Sequence, residues 1–169
     1  MNLNKDLTEE FLSKLFPPRE VIEGARTDTP YPTNDILQTT IMVYGKQASG
    51  KSELVRTLVE KAVERYGEEN VNAVWSDGDL ETLLYSLEDK LVNILFCEDL
   101  SWAKVSPKAI RDFFKVRHIL QELTGRRIGL VIVILSCHRY HGIKVPDLRT
   151  DLDYFMAKNT PSNLSILIL

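Results

Sequence analysis

A three-layer α/β architecture around a mainly parallel central sheet is the fold class this sequence predicts, and three observations predict it. First, apolar runs alternate with amphipathic helical stretches along most of the chain, as βαβ units require. Second, Ile128 to Leu135 (IGLVIVIL) is almost wholly apolar. A strand with one wet face would alternate, so this one reads as a central parallel strand covered on both sides. Third, the run TTIMVY (Thr39 to Tyr44) leads through the loop GKQASGKS straight into an amphipathic helix.

The chain's 169 residues suit one domain burying about two-thirds of its unfolded surface. Hydrophobic residues make up 44% and charged residues 27%, with a formal net charge of −3. That balance supplies no global field for nucleic acid, so any contact with DNA or RNA has to be local. Cys97 and Cys137 both end apolar runs and read as buried free thiols in a reducing compartment. The N-terminus, MNLNKDLTEE, shows no signal peptide, and no apolar run is long enough to span a bilayer. A cytoplasmic protein without a membrane span is expected.

Taken in order, Asp6 to Phe16 places Leu7, Phe11, Leu12, Leu15 and Phe16 on one helical stripe, and Pro17-Pro18 stops it. This helix either packs on its own domain, the preferred reading, or docks a neighbouring subunit. Gly24 to Asp35 is turn-rich and leads into the first strand. The expected organisation is therefore an N-terminal helix and linker over 1–33 and a core over 34–169. After the loop, Leu54/Val55, Leu58/Val59, Ala62/Val63 and Tyr66 recur every three to four residues, and Gly67 ends that helix. Val71 to Trp75 is a short strand; Asp79 caps a short helix through Leu87. Leu91 to Cys97 is a third apolar run. Ser106 as N-cap and Pro107 at the first position open a helix that Gly125 closes. After the central strand, Asp151 to Ala157 and Ser165 to Leu169 supply further strands. The chain stops inside the apolar run SILIL, which fits either a truncation or a terminal strand tucked into the sheet.

The loop carries the chemistry. Gly45, Gly50, Lys51 and Ser52 fit the phosphate-loop pattern G-x-x-x-x-G-K-[ST] at every fixed position, between a strand and a helix. Glycines let successive backbone N–H groups converge on an anion, and the helix N-terminus adds the positive end of its dipole. Lys51 reaches the β/γ-phosphates, and the Ser52 hydroxyl sits on Mg²⁺. The expected ligand is ATP with Mg²⁺, bound by Gly45, Lys46, Gln47, Ala48, Ser49, Gly50, Lys51, Ser52 and Glu53.

The run ILFCED ends in two carboxylates. Placed beside the first strand, they would reach the Mg²⁺ on the β/γ-phosphates, the Walker B role. Glu98 is assigned to the magnesium shell and Asp99 to orienting or activating the attacking water. Ser52, Glu98 and Asp99 are thus the candidate metal residues. The strand at Val71 to Trp75 falls in sequence between the phosphate-loop strand and the acid-tipped one. Such an insertion typifies the additional-strand ATPases that drive motion, including RecA-like motors. At the tip of the central strand sits SCHRYH (Ser136 to His141), where His138 is placed to sense the γ-phosphate or its water.

In GKQASGKS, ILFCEDL and ELTGRRIGLVIVILSCHRY the chain resembles the FtsK–HerA group of P-loop ATPases, which pump DNA and package viral genomes. The similarity spans about Thr39 to Asn159. His138 stands where that group usually has glutamine, and the short distance from phosphate loop to Walker B suits its compact viral or plasmid members. The resemblance implies Mg²⁺-dependent ATP hydrolysis, DNA as a partner, and a homo-oligomeric, typically hexameric ring. It also implies an arginine inserted at a neighbour's γ-phosphate, where a guanidinium fork offsets the charge of the transition state. Arg126, Arg127 and Arg149 are the candidates, and Arg149 is the one assigned to catalysis.

For DNA contact, Arg139, Tyr140, His141 and Lys144 combine basic groups with an aromatic in one loop. Lys108, Arg111, Lys115 and His118 form a basic stripe on the preceding helix. Cys137, His138 and His141 do not make a zinc site, since no CxxC or second His pair completes four ligands. Two rival readings stand beside the motor: a P-loop kinase acting on a small molecule or nucleotide, and a nucleotide-switched, helicase-loader-type protein that hydrolyses slowly.

Overall fold

The computed structural model describes residues 9–24, 34–46, 48–100, 104–138, 152–160 and 163–168. The elements are α1 (Glu9–Leu15), α2 (Arg19–Glu23), β1 (Leu37–Tyr44), α3 (Lys51–Tyr66), β2 (Val71–Asp77) and α4 (Leu80–Leu84). They continue with β3 (Val92–Glu98), α5 (Pro107–Phe114), α6 (Val116–Thr124), β4 (Leu130–Cys137), β5 (Tyr154–Thr160) and β6 (Asn163–Ile168). The strands form one sheet in the order β2-β3-β4-β1-β5-β6. Every neighbouring pair is parallel except β5 and β6.

The central strand explains the layering. All eight residues of β4 are buried, and its side chains divide by period two. Leu130, Ile132 and Ile134 face a core formed with α1, α2 and α3, while Val131, Val133 and Leu135 face one formed with α4, α5 and α6. Two helical layers therefore sandwich the sheet, and each fully buried aliphatic side chain contributes about 1.5–3 kcal/mol. In α1 the stripe Phe11, Leu12 and Leu15, with Phe16 after it, lies in the same core as α3. Phe11 meets Tyr154 edge-on, and the Tyr66 hydroxyl at the end of α3 donates to the Pro17 carbonyl at 2.6 Å.

Three expectations need correcting. The acid-tipped strand β3 is not beside β1: β4 pairs with both and separates them. A strand apolar on both faces gains most at the centre of the sheet, which is the place β4 takes. The short helix after Asp79 ends at Leu84 rather than Leu87, although Asp79 caps it through the Thr82 amide, 3.0 Å away. The helix from Ser106 to Gly125 is interrupted at Lys115, whose φ of −108° and ψ of 14° separate α5 from α6. Phe113, Val116, Ile119 and Leu120, on either side of the interruption, share one core. Ser106 and Gly125 cap the two outer ends.

The edge strand is tied by polar side chains. Asn93, fully buried on β3, accepts from Asn72 on β2 at 2.9 Å and from the Glu88 amide at 2.9 Å. Its own amide donates to the Glu88 carbonyl. A buried side-chain amide is tolerated because it is satisfied.

Candidate functional site

The parallel strands β1, β3 and β4 end together, and the candidate groups gather at their C-terminal ends, where an open α/β sheet places its ligand crevice. β1 runs into the loop that opens α3. Ala48 (φ 60°) and Gly50 (φ 91°) occupy the left-handed region, which folds the loop back over the helix N-terminus. No side chain caps α3, so its first-turn N–H groups retain their capacity for an anion. Gln47 lies outside the described residues. Ala48, Ser49, Gly50, Lys51, Ser52 and Glu53 line a cleft of about 370 Å³ with Glu98, Asp99 and His138.

Lys51 is buried, and its ammonium donates to the carbonyls of Gly45 (2.7 Å) and Lys46 (2.9 Å). Its third neighbour is Nδ1 of His138, at 3.2 Å. Desolvation lowers the Lys51 pKa from its ordinary value, against the opposing pull of Asp99, Cys137 and Glu98. Nδ1 of His138 faces the Gly45 carbonyl as well, at 3.3 Å. The ring's Nε2 meets the Asp99 carboxylate directly. Lys51, His138 and Asp99 form one chain of contacts across three strand ends.

Ser52 Oγ donates to Glu98 Oε1 at 2.8 Å, so a hydroxyl and a carboxylate oxygen stand together as hard oxygen donors suited to Mg²⁺. Among the described residues no group of three or more His, Cys, Asp and Glu could hold a metal ion. The Ser49 hydroxyl is buried without a hydrogen-bond partner. An orphaned hydroxyl inside a loop of convergent N–H groups suits a bound phosphate oxygen.

Asp99 has φ 53°, uncommon for a residue with a side chain. Its amide donates to the Ser136 hydroxyl at 3.2 Å, and the next amide, Leu100, donates to the Ser136 carbonyl at 2.9 Å. Motif reading passed over Ser136; the only signal was a polar residue inside the tip SCH of an otherwise apolar strand. Asp99 also borders a second cleft of about 510 Å³, whose lining includes Asp77, Asp79, Lys104 and Ser106.

Glu53 lines the cleft while ion-paired with Arg56 at 2.7 Å. Other candidates lie elsewhere. Arg126 bonds Asp89 and the Ile128 carbonyl before β4 begins, about 25 Å of strand away from His138. Arg127, which precedes β4 as well, shares that distant end. Arg149 and the cluster Arg139, Tyr140, His141 and Lys144 lie outside the described residues. The basic stripe is divided by the break at Lys115, and Lys108 is taken up by Glu81, Asp112 and the face of Tyr85. No described helix is long and apolar enough to cross a membrane.

No protein-family model matches the chain, and no curated protein matches it either. Solved structures do. The ORC2 protein of Aeropyrum pernix in its ADP form is 12% identical, with a TM-score of 0.54 over 73% of this chain and 43% of that one. A chain of the E. coli MS115-1 HORMA:CdnC:Trip13 complex is 14% identical, with a TM-score of 0.55 over 93% of this chain and 59% of that one. The chain has the three-layer α/β fold of RecA-like P-loop NTPases. It spans about half the length of these structures.

Proposed function

We propose that this chain is a Mg²⁺-dependent ATP hydrolase of the RecA-like, FtsK–HerA type, working as an oligomeric DNA translocase or genome-packaging motor. The observation that carries the hydrolase reading is the convergence of Lys51, Ser52, Glu98, Asp99 and His138 on one cleft, from an intact phosphate loop and two further strand tips. Lys51 neutralises the phosphates, the loop N–H groups and the Ser49 hydroxyl receive their oxygens, and Ser52 and Glu98 hold Mg²⁺. When bound, Mg²⁺ offsets the negative charge of the β/γ-phosphates. Asp99 orients the attacking water, and His138 both steadies that carboxylate and senses the γ-phosphate. Arg149 is the arginine proposed to act on a neighbouring subunit's site.

The motor part rests on the resemblance in the three motifs and on the sheet order, with β4 between β1 and β3. Residues 1–33 would form its N-terminal attachment and 34–169 its core. A second reading has one specific observation in its favour: the cleft of about 510 Å³ beyond Asp99 is large enough for a small-molecule phosphoryl acceptor.

Steady-state ATP hydrolysis with and without double-stranded and single-stranded DNA, with Lys51→Ala as control, separates these readings. DNA-stimulated turnover lost in the variant supports the motor. Turnover indifferent to DNA but stimulated by acceptor molecules supports the kinase. Slow turnover that responds only to a protein partner supports the nucleotide-switched loader.

A further inference from the structure

We infer that Ser136 is the positioning residue of this site: it fixes the backbone turn that presents Asp99 to His138. The inference rests on the hydrolase reading for its catalytic consequence, but its geometry stands on the protein's own contacts. Asp99 follows β3 directly and holds φ 53°, a left-handed conformation uncommon among side-chain-bearing residues though tolerated by Asp better than by most. Two bonds from one residue hold it there. The Ser136 hydroxyl accepts from the Asp99 amide, and the Ser136 carbonyl accepts from the Leu100 amide. Ser136 is itself fully buried in β4 and cannot yield its place.

The same strand delivers His138 two residues later. Because β4 holds both the backbone of Asp99 and the ring that its carboxylate meets, the carboxylate and imidazole are set by a single rigid element. Removing the hydroxyl leaves the Asp99 amide unsatisfied and releases the residue toward ordinary backbone conformations, which withdraws the carboxylate from Nε2. Ser136 touches no reacting atom in this scheme; it acts through Asp99 and His138.

The test compares the full chain with Ser136→Ala, Ser136→Thr and Ser136→Cys. Two readouts are taken: nitrogen-detected NMR of the His138 imidazole without nucleotide, and ATP turnover against fluorescent-nucleotide affinity. In Ser136→Ala the Nε2 resonance of the imidazole is expected to shift, because the carboxylate that meets it withdraws. A misplaced catalytic group costs up to roughly 100-fold in rate, so kcat is expected to fall about tenfold with nucleotide affinity changed less than about twofold. Ser136→Thr, which retains the hydroxyl, is expected to preserve the Nε2 resonance. A Ser136→Ala chain that folds with an unchanged His138 spectrum, or that loses affinity and kcat in parallel, overturns the inference. Should Ser136→Ala not fold, the near-isosteric Ser136→Cys, a weaker acceptor, is judged by the same two criteria. If the unaltered chain hydrolyses no nucleotide, the hydrolase reading fails alone, and the nucleotide-free spectra still decide the role of Ser136.

Discussion

Ser52 and Glu98 are hydrogen-bonded at 2.8 Å although the strands they follow are not neighbours, β4 lying between β1 and β3. The bond spans the central strand at its tip and joins the start of α3 to the end of β3. Glu98→Gln keeps the shape but removes the charge from a pair of hard oxygen donors. Nucleotide affinity measured with EDTA should be unchanged, while the gain on adding Mg²⁺ should be lost. The loss should at least match the roughly 10–100-fold cost of removing a metal site's outer-shell partner. A Mg²⁺ titration of fluorescent-nucleotide binding reads this directly, and an undiminished Mg²⁺ effect would remove Glu98 from the metal site.

Lys51→Met should separate binding from stability. Removing one partner of a desolvated, hydrogen-bonded charge pair costs about 2–5 kcal/mol, so triphosphate affinity should fall on the order of 100-fold. Without nucleotide, the sign differs. Desolvation lowers the Lys51 pKa, so the folded state disfavours the ammonium and bears that penalty wherever the lysine is protonated. The methionine variant should therefore resist urea at pH 7 as well as the unaltered chain, or better. A clear drop in its unfolding midpoint would show that the bonds to Gly45 and Lys46 outweigh the desolvation.

The alkaline limb of stability should fall between about pH 9 and 12. Burial pushes the Cys97 thiol up to about 12, Cys137 to about 11 and the Tyr66 phenol to about 12, from ordinary values of 9.0 for the thiols and 10.0 for the phenol. In that window the unfolded chain has released protons that the folded chain retains, so stability is full below it and declines as pH rises. Lys51, whose shift is downward from 10.5, works in the opposite sense, and its effect is complete once pH rises past that ordinary value. Tyr66→Phe removes the bond to the Pro17 carbonyl, costing about 0.5–1.5 kcal/mol at pH 7, and should flatten the decline above pH 10. Urea midpoints from pH 7 to 11 test both parts.

Two glycines should respond unequally to alanine. Gly125 closes α6 at φ 75° with no atom within 4 Å of where a Cβ would stand. Gly125→Ala should cost only the left-handed backbone, about 1–2 kcal/mol. At Gly129 (φ 154°) a Cβ would stand 3.0 Å from the Leu91 carbonyl oxygen, which is backbone and cannot step aside. Gly129→Ala should therefore be the more destabilising, by thermal or urea unfolding. Equal costs would mean that the β3–β4 approach has slack.

Much of the fold is legible in the sequence because its signals are local. Leu130 to Leu135 of β4, the Asp79 and Ser106 caps and the Gly125 stop follow from local pattern and capping chemistry. The strand itself starts two residues later than Ile128 and continues through Ser136 and Cys137. Strand order is not local, so the adjacency of β3 to β1 was expected where β4 intervenes. No breaker residue marks the interruption at Lys115, so local pattern alone reads one helix there. In the site, the phosphate loop announces itself by spacing. The Asp99–His138 contact joins residues of two different strand tips, and the Ser136 hydroxyl serves a backbone amide far along the chain. Neither leaves a pattern that a single sequence displays.

The bond between Tyr66 and Pro17 fixes the far end of the helix that begins at Lys51. At 1.5 Å per residue, the sixteen residues of α3 make a rod about 24 Å long. One end of that rod bears the phosphate-facing lysine and the other is latched to the segment following α1. Phe16 rests edge-on against the Tyr66 ring at the same latch, 6.2 Å between centroids. Any tilt or rotation of the rod at its ligand end must be taken up at the latch. The N-terminal helix is thus braced against the far end of the rod whose other end lines the cleft, though none of its own residues lines that cleft.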